Sequence, residues 1–225
     1  MENELSQRLE IQLQRRVQLI PRGHPASGSH LAALPVDWQA ALDPGLPVSE
    51  AVETLWQPLA ERARGFTVRL GIITLELALV VFPESAASPA LLYLTEREGE
   101  LHGWLGGPPA GEHEIETKEA ELGGRLPESF RRFSAIHNGF LEDGDPALGI
   151  RPLAGLRLTN PQPACSPPWL EFAALRDGSR QCFVLEAPAG RGDYLTVRWE
   201  PENQKISPPQ SFWSFLKGFT ISDFG

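Results

Sequence analysis

The chain has 225 residues and a net charge of −9, from 20 basic and 29 acidic side chains, with 41% hydrophobic and 22% charged residues. That much apolar material can bury a real core, which excludes a wholly disordered chain. An acidic balance without a basic run excludes a binder that tracks nucleic-acid phosphates, and two cysteines without CxxC or Cys/His spacing exclude a disulfide framework and a structural zinc site.

In chain order, Leu5, Leu9, Leu13, Val17 and Ile20 recur at three- and four-residue steps, so residues 1–20 are predicted helical up to Pro21. The stretch has three glutamates and no unbroken apolar segment, so it does not read as a secretory signal. PRGHPASGSH follows as a connector. A second helix is predicted from Ser49, as its cap, to Arg64, with Gly65 as its stop and a kink or break at Pro58. Residues 66–82, FTVRLGIITLELALVVF, are rich in β-branched residues and read as strand. The longest apolar run, Leu70 to Phe82, is shorter than the roughly 20 residues a bilayer requires and is broken by Glu76. The expected location is cytoplasmic.

ALLYLTEREGELHGWLGG reads as two strands about Glu98-Gly99. Glu112 to Gly124 returns to helix, with Gly123 as its stop. Pro127 then opens a helix predicted to run to His137. Phe130, Phe133 and Ile136 share one side and Arg131 and Arg132 the other. Asn138 and Gly139 sit where that pattern ends, and they are the residues that best tolerate a left-handed helix terminus. His137 therefore reads as part of a helix stop, against the alternative of a catalytic corner. From Ile150 a meander is expected, with a hairpin about Asp177-Gly178, a half-buried strand DYLTVRWE and a turn at PENQ. QSFWSFLKGF closes the chain with Phe212, Phe215, Leu216 and Phe219 on one helical face.

Ile115, Glu119, Leu122-Gly123, Leu126-Pro127, Phe130, Phe133 and Asn138-Gly139-Phe140 stand in an order that resembles the SMI1/KNR4 family of the SUKH superfamily. There a short helix leads to an LP-x-x-[FY] helix ending in Asn-Gly. Ile150 to Leu153 resembles the strand after that turn, and Ser211 to Leu216 resembles the closing SF-x-x-FL helix. The likeness spans roughly residues 112–219. It implies an α+β fold, with a twisted, mainly antiparallel sheet packed against helices. The structural motif residues would be Leu126, Pro127, Phe130, Phe133, Asn138, Gly139, Phe212, Phe215 and Leu216. Residues 66–225 would form the SUKH-like domain, with residues 66–111 as extra strands of the same sheet, behind a mostly helical N-terminal extension of residues 1–65. The resemblance further implies a binding protein without catalytic chemistry. Bacterial members look like immunity proteins that neutralise a toxin, and fungal members act as interaction proteins. Only three of the 20 basic residues are lysines, an arginine bias that favours the bacterial reading.

The residues carry little catalytic signal of their own. No HExxH, GxSxG, P-loop or GxGxxG occurs, and Cys182 lies in an apolar strand as an inert thiol. No cofactor or metal is expected. Residues 112–145 hold nine acidic and four basic side chains. Glu142, Asp143 and Asp145 in the loop after Asn-Gly, with Glu116 and Glu119 on the preceding helix, are the candidate contacts for a protein partner with a basic surface. A toxin domain such as a nuclease is that kind of partner; neither nucleic acid nor membrane is. The alternatives are a scaffold or regulatory module of the same fold and, more remotely, an enzyme with an unrecognised site.

Overall fold

The computed structural model describes residues 2–13, 16–24, 34–83, 88–97, 99–142, 145, 148–161, 168–190 and 192–222. Among these the chain forms an α+β fold with seven helices and twelve strands in one antiparallel sheet. Helix α1 (Glu2–Leu13) precedes β1 (Gln18–Pro21). Helices α2 (Val36–Ala41), α3 (Val48–Leu55) and α4 (Ala60–Ile73) then lead into β2 (Thr74–Val81), β3 (Ala90–Arg97) and β4 (Glu100–Gly106). Helices α5 (Glu112–Leu122) and α6 (Glu128–Ser134) follow, then the short strands β5 (Phe140–Glu142), β6 (Gly149–Ile150) and β7 (Arg157–Thr159). The meander comprises β8 (Trp169–Ala174), β9 (Arg180–Gly190), β10 (Asp193–Glu200), β11 (Lys205–Ile206) and β12 (Gln210–Ser211), and α7 (Phe212–Ser222) comes last. The sheet order is β1-β2-β3-β4-β5-β6-β8-β9-β10-β11, with β7 also beside β8 and β12 beside β10.

The sheet has two faces, and side-chain alternation assigns residues to them. Leu77, Leu79, Leu91, Tyr93 and Trp104 point to the inner face, where α2–α7 supply Trp38, Val52, Phe66, Phe130, Phe133 and Phe212 to the main core. Ala78, Val80, Ala90, Leu92 and Leu105 point to the outer face and are capped by Leu9 of α1. Burial on both faces explains why these strands read as nearly continuous apolar runs. A third, small cluster of Trp169, Cys182 and Val197 lies on the outer face of the meander.

The predicted motif residues go where amphipathicity sends them. Leu126, Phe130, Phe133, Phe212, Phe215 and Leu216 are buried in the main core, and Pro127 is buried beside them. The strands from residues 66–111 join the same sheet as those after 149. The hairpins about Gly99 and Gly178 form, each glycine with positive φ, although Glu98 is outside the described residues.

Several expectations are corrected. The first helix ends at Leu13, and Gln18–Pro21 is a strand against Ala78–Val81. Leu19 and Ile20 fit an alternating pattern as well as a helical one, and sheet pairing decides between them. Helix α3 begins at Val48 after Pro47, without a side-chain cap from Ser49, and Gly65 lies inside α4 rather than after it. The break at Pro58 is a 3₁₀ turn, Gln57–Leu59, with the chain bending again at Ala63. Residues 66–73 are helix, not strand. Ala63, Phe66, Thr67 and Leu70 are buried at helical spacing, and this packing outweighs β-branched propensity. The strand expected over 150–153 shrinks to Gly149–Ile150, followed by a 3₁₀ turn.

Candidate functional site

The predicted helix from Pro127 to His137 stops at Ser134, three residues early. His137 is therefore not in the last turn of a helix. It lies beyond it, fully buried. Its Nδ1 faces the Gly107 carbonyl at 3.0 Å and its Nε2 faces the Tyr93 hydroxyl at 2.6 Å. A carbonyl only accepts, so Nδ1 carries the hydrogen and Nε2 is the acceptor of the Tyr93 O–H. The Tyr93 oxygen in turn accepts from Trp56 Nε1–H at 3.0 Å. Every polar atom of the chain Trp56–Tyr93–His137–Gly107 is thereby used. Burial lowers the His137 pKa from 6.5 to about 4, and burial raises that of Tyr93 well above its usual 10.

The backbone around this ring is tailored to it. Gly106 presents its Cα to the imidazole, where a Cβ would overlap the ring. A Cβ on Gly107 would overlap the Asn138 carbonyl. Gly139 has φ +94°, as the Asn-Gly reading anticipated, and a Cβ there would lie 2.8 Å from Pro152 N. The Asn138 side chain accepts from Leu153 N–H at 2.7 Å and ties the turn to the following loop. Trp38, Trp56 and Phe140 close over the imidazole with ring centroids 5.3–5.9 Å away. A general base must reach its substrate's proton, and this ring is walled off by other rings. The group is a polar joint between α3, β3 and the Asn-Gly turn.

The acidic candidates separate in space. Glu142 was expected in an exposed loop but is 4% exposed, on the sheet, and paired with Arg176. Asp143 lies outside the described residues. Asp145 is half-buried, and its backbone N–H donates to Glu142 O at 2.8 Å. Glu119 is also turned inward: one oxygen accepts from Leu126 N–H at 2.9 Å and from Arg131 at 3.2 Å. Glu142 and Glu119 are thus committed to internal structure, because a buried carboxylate must be paired. Glu116 is exposed as expected.

Most of the circumference of α5 reaches solvent. Glu112, Glu114, Glu116 and Glu121 are exposed, with His113, Thr117 and Ala120 between them, while Ile115 alone is buried. At about 100° per residue, Glu112 and Glu116 lie on one flank of this surface and Glu114 and Glu121, the latter paired with Lys118, on the other. The helix is pinned at its ends and along its length. Glu114 accepts from Gly111 N–H at 2.8 Å, Glu112 and Glu119 both hold Arg131 of α6, and Gly123 closes the last turn with φ +71°. Elsewhere, a groove of about 630 Å³ runs between Arg62, Arg132, Asp193 and Trp213. The buried Ser129 donates to Asp193 there at 2.6 Å. Among the described residues no group of His, Cys, Asp or Glu is arranged to hold a metal ion, and no helix is long and apolar enough to cross a membrane.

No family model matches the chain, and no curated protein or solved structure is similar to it. The SMI1/KNR4 resemblance therefore rests on this chain's own residues.

Two features were missed in the sequence. Tyr93 and Trp56 are 44 and 81 positions from His137, and only the folded sheet brings them together. Glu171 is a buried acid inside WLEFAA, and a charge within an apolar strand was the signal for it.

Proposed function

We propose that the chain is a non-enzymatic binding protein, an immunity protein that neutralises a bacterial toxin by covering a basic surface of it. The observation that carries this reading is the outward face of α5, with four exposed glutamates on a helix whose position is fixed by Arg131 and by the Gly111 and Gly123 termini. A held acidic face suits a partner whose own substrate is polyanionic, such as a nuclease. Long-range attraction speeds encounter, and the fixed geometry lowers the ordering cost of binding. The order of motif residues from Ile115 to Leu216 supports the same reading, since the family it resembles acts through protein contacts. With Glu142 and Glu119 turned inward, Glu116 stays a contact and Glu112, Glu114 and Glu121 join it.

The test is co-expression with the product of the adjacent gene in the source genome. Growth should be arrested by that product alone and restored by this protein. Reversal of Glu116 and Glu121 to lysine, neither of which holds Arg131, should weaken the rescue while leaving the fold intact by circular dichroism. Full rescue by the double variant removes α5 as the contact face. A neighbouring gene without toxicity favours the scaffold reading instead.

A further inference from the structure

Glu171 lies in the middle of β8, 1% exposed. Its register partners are Arg157 on β7 and Cys182 on β9, which places it on the outer face of the meander, opposite the main core. Arg157 donates to both of its oxygens at 3.0–3.1 Å, and Arg151 donates to Oε1 at 2.7 Å. Those bonds satisfy a buried carboxylate. A third guanidinium is nevertheless present. Arg180 Nε approaches Oε1 at 4.0 Å, beyond hydrogen-bond reach. Arg157 and Arg180 thus both lie within 4.0 Å of one carboxylate that Arg151 already shares, on a chain whose net charge is −9. Of the nearby acids, Asp177 in the β8–β9 turn pairs with Arg198 and Glu200 on β10 accepts from Asn203, while Glu186 lies six residues and about 20 Å along β9, outside a Debye length of about 8–10 Å.

The surroundings are apolar and partly buried. Arg180 sits directly across from Trp199 on β10, and Trp199 packs with Val184 and Ile206 at the margin of the Trp169–Cys182–Val197 cluster. All six of these cluster residues come from strands. Unlike the outer face beneath α1, this half of the sheet gains no helical residue among the described ones. Arg157 keeps more than half of its side chain in solvent, and Arg180 about 29%.

We propose that this outer face is a docking site for a carboxylate-bearing segment of a partner protein, with Arg180 as the primary anchor and Arg157 as its neighbour. A guanidinium fork takes a carboxylate through two parallel bonds; Glu171 holds Arg157 on the sheet in advance, and Arg180 stands beside it with its own fork unbonded to Glu171. Half-buried Trp199, Val184 and Ile206 beside the cations suit a peptide's side chains better than a free inorganic anion. The site is separate from α5 and does not depend on the toxin reading.

Arg180→Gln is the clean probe, because Arg180 makes no hydrogen bond to Glu171 and its loss leaves that carboxylate paired. A capped hexaglutamate peptide is titrated into the full chain at low salt, with tryptophan fluorescence and calorimetry as readouts. Hexaglutamine and inorganic phosphate are run in parallel. Because the protein is itself strongly acidic, non-specific attraction of hexaglutamate is disfavoured. The expected result is saturable binding of hexaglutamate, no binding of hexaglutamine, and about tenfold weaker binding by Arg180→Gln at unchanged melting temperature. Arg180→Lys should recover part of the affinity, since it keeps the charge and loses the fork. Unchanged hexaglutamate affinity in Arg180→Gln overturns the site. So does the absence of saturable binding, or phosphate binding that displaces the peptide at equal concentration.

Discussion

Tyr93→Phe removes one oxygen and leaves the ring in place. In the folded protein that oxygen accepts from Trp56 Nε1–H and donates to His137 Nε2. Both partners are fully buried. Phenylalanine leaves one buried donor and one buried acceptor without a bond, at about 1–3 kcal/mol each, so the expected loss is about 2–6 kcal/mol. Trp38, Trp56 and Phe140 pack around the imidazole, so water has little room to replace the hydroxyl. For a chain of this size a mid-range loss of about 4 kcal/mol lowers Tm by about 8–16 °C. The assay is urea unfolding followed by circular dichroism and tryptophan fluorescence, read as a shift of midpoint at constant slope. A Tyr93→Phe variant within about 0.5 kcal/mol of the parent refutes the buried hydrogen-bond chain and reopens His137 as a residue with another role.

The remaining expectations concern the same core and its turn. The folded pKa of His137, about 4, lies below the unfolded value of 6.5, so the unfolded chain binds the proton first as pH falls. Stability from this group is complete above pH 6.5 and is lost as pH drops from 6.5 toward 4, by on the order of 3 kcal/mol. NMR titration should find the imidazole neutral down to pH 5, and a midpoint near 6.5 would contradict its burial. Phe133→Ala empties a fully buried site against Trp56, Phe130 and Phe212 and should cost about 3–5 kcal/mol by chemical denaturation. Gly139→Val forces a β-branched residue to φ +94° and against Pro152, and strain alone should cost about 1–3 kcal/mol in the same assay. Unchanged stability of that variant would mean the turn is not built as described.

The parts of the fold legible in the sequence are those governed by local pattern. The Phe130/Phe133 and Phe212/Phe215/Leu216 spacings identify faces of helices that are indeed buried, and Gly99, Gly123, Gly139 and Gly178 mark turns that need positive φ. Where two periods fit the same residues, tertiary contacts decide. Gln18 to Pro21 follows the sheet because Ala78 to Val81 offer it an edge. Residues 66–73 stay helical because Phe66 and Leu70 fall on one buried stripe. The site was less legible. Acidity is local information but exposure is not: Glu142 and Glu119 find Arg176 and Arg131, 34 and 12 residues away, and turn inward. Among the described candidates, only Glu116 stands plainly in solvent.

The proposed capture of a basic protein by the acidic, preformed surface of α5 sets a rate that can be measured. Stopped-flow association between this chain and the purified product of its neighbouring gene follows the rate constant from low to high salt. A stable complex is expected, with an association rate that falls steeply with ionic strength and a much shallower dependence when Glu116 and Glu121 are reversed to lysine. An association rate indifferent both to salt and to those two reversals, or no complex at all, contradicts the proposal.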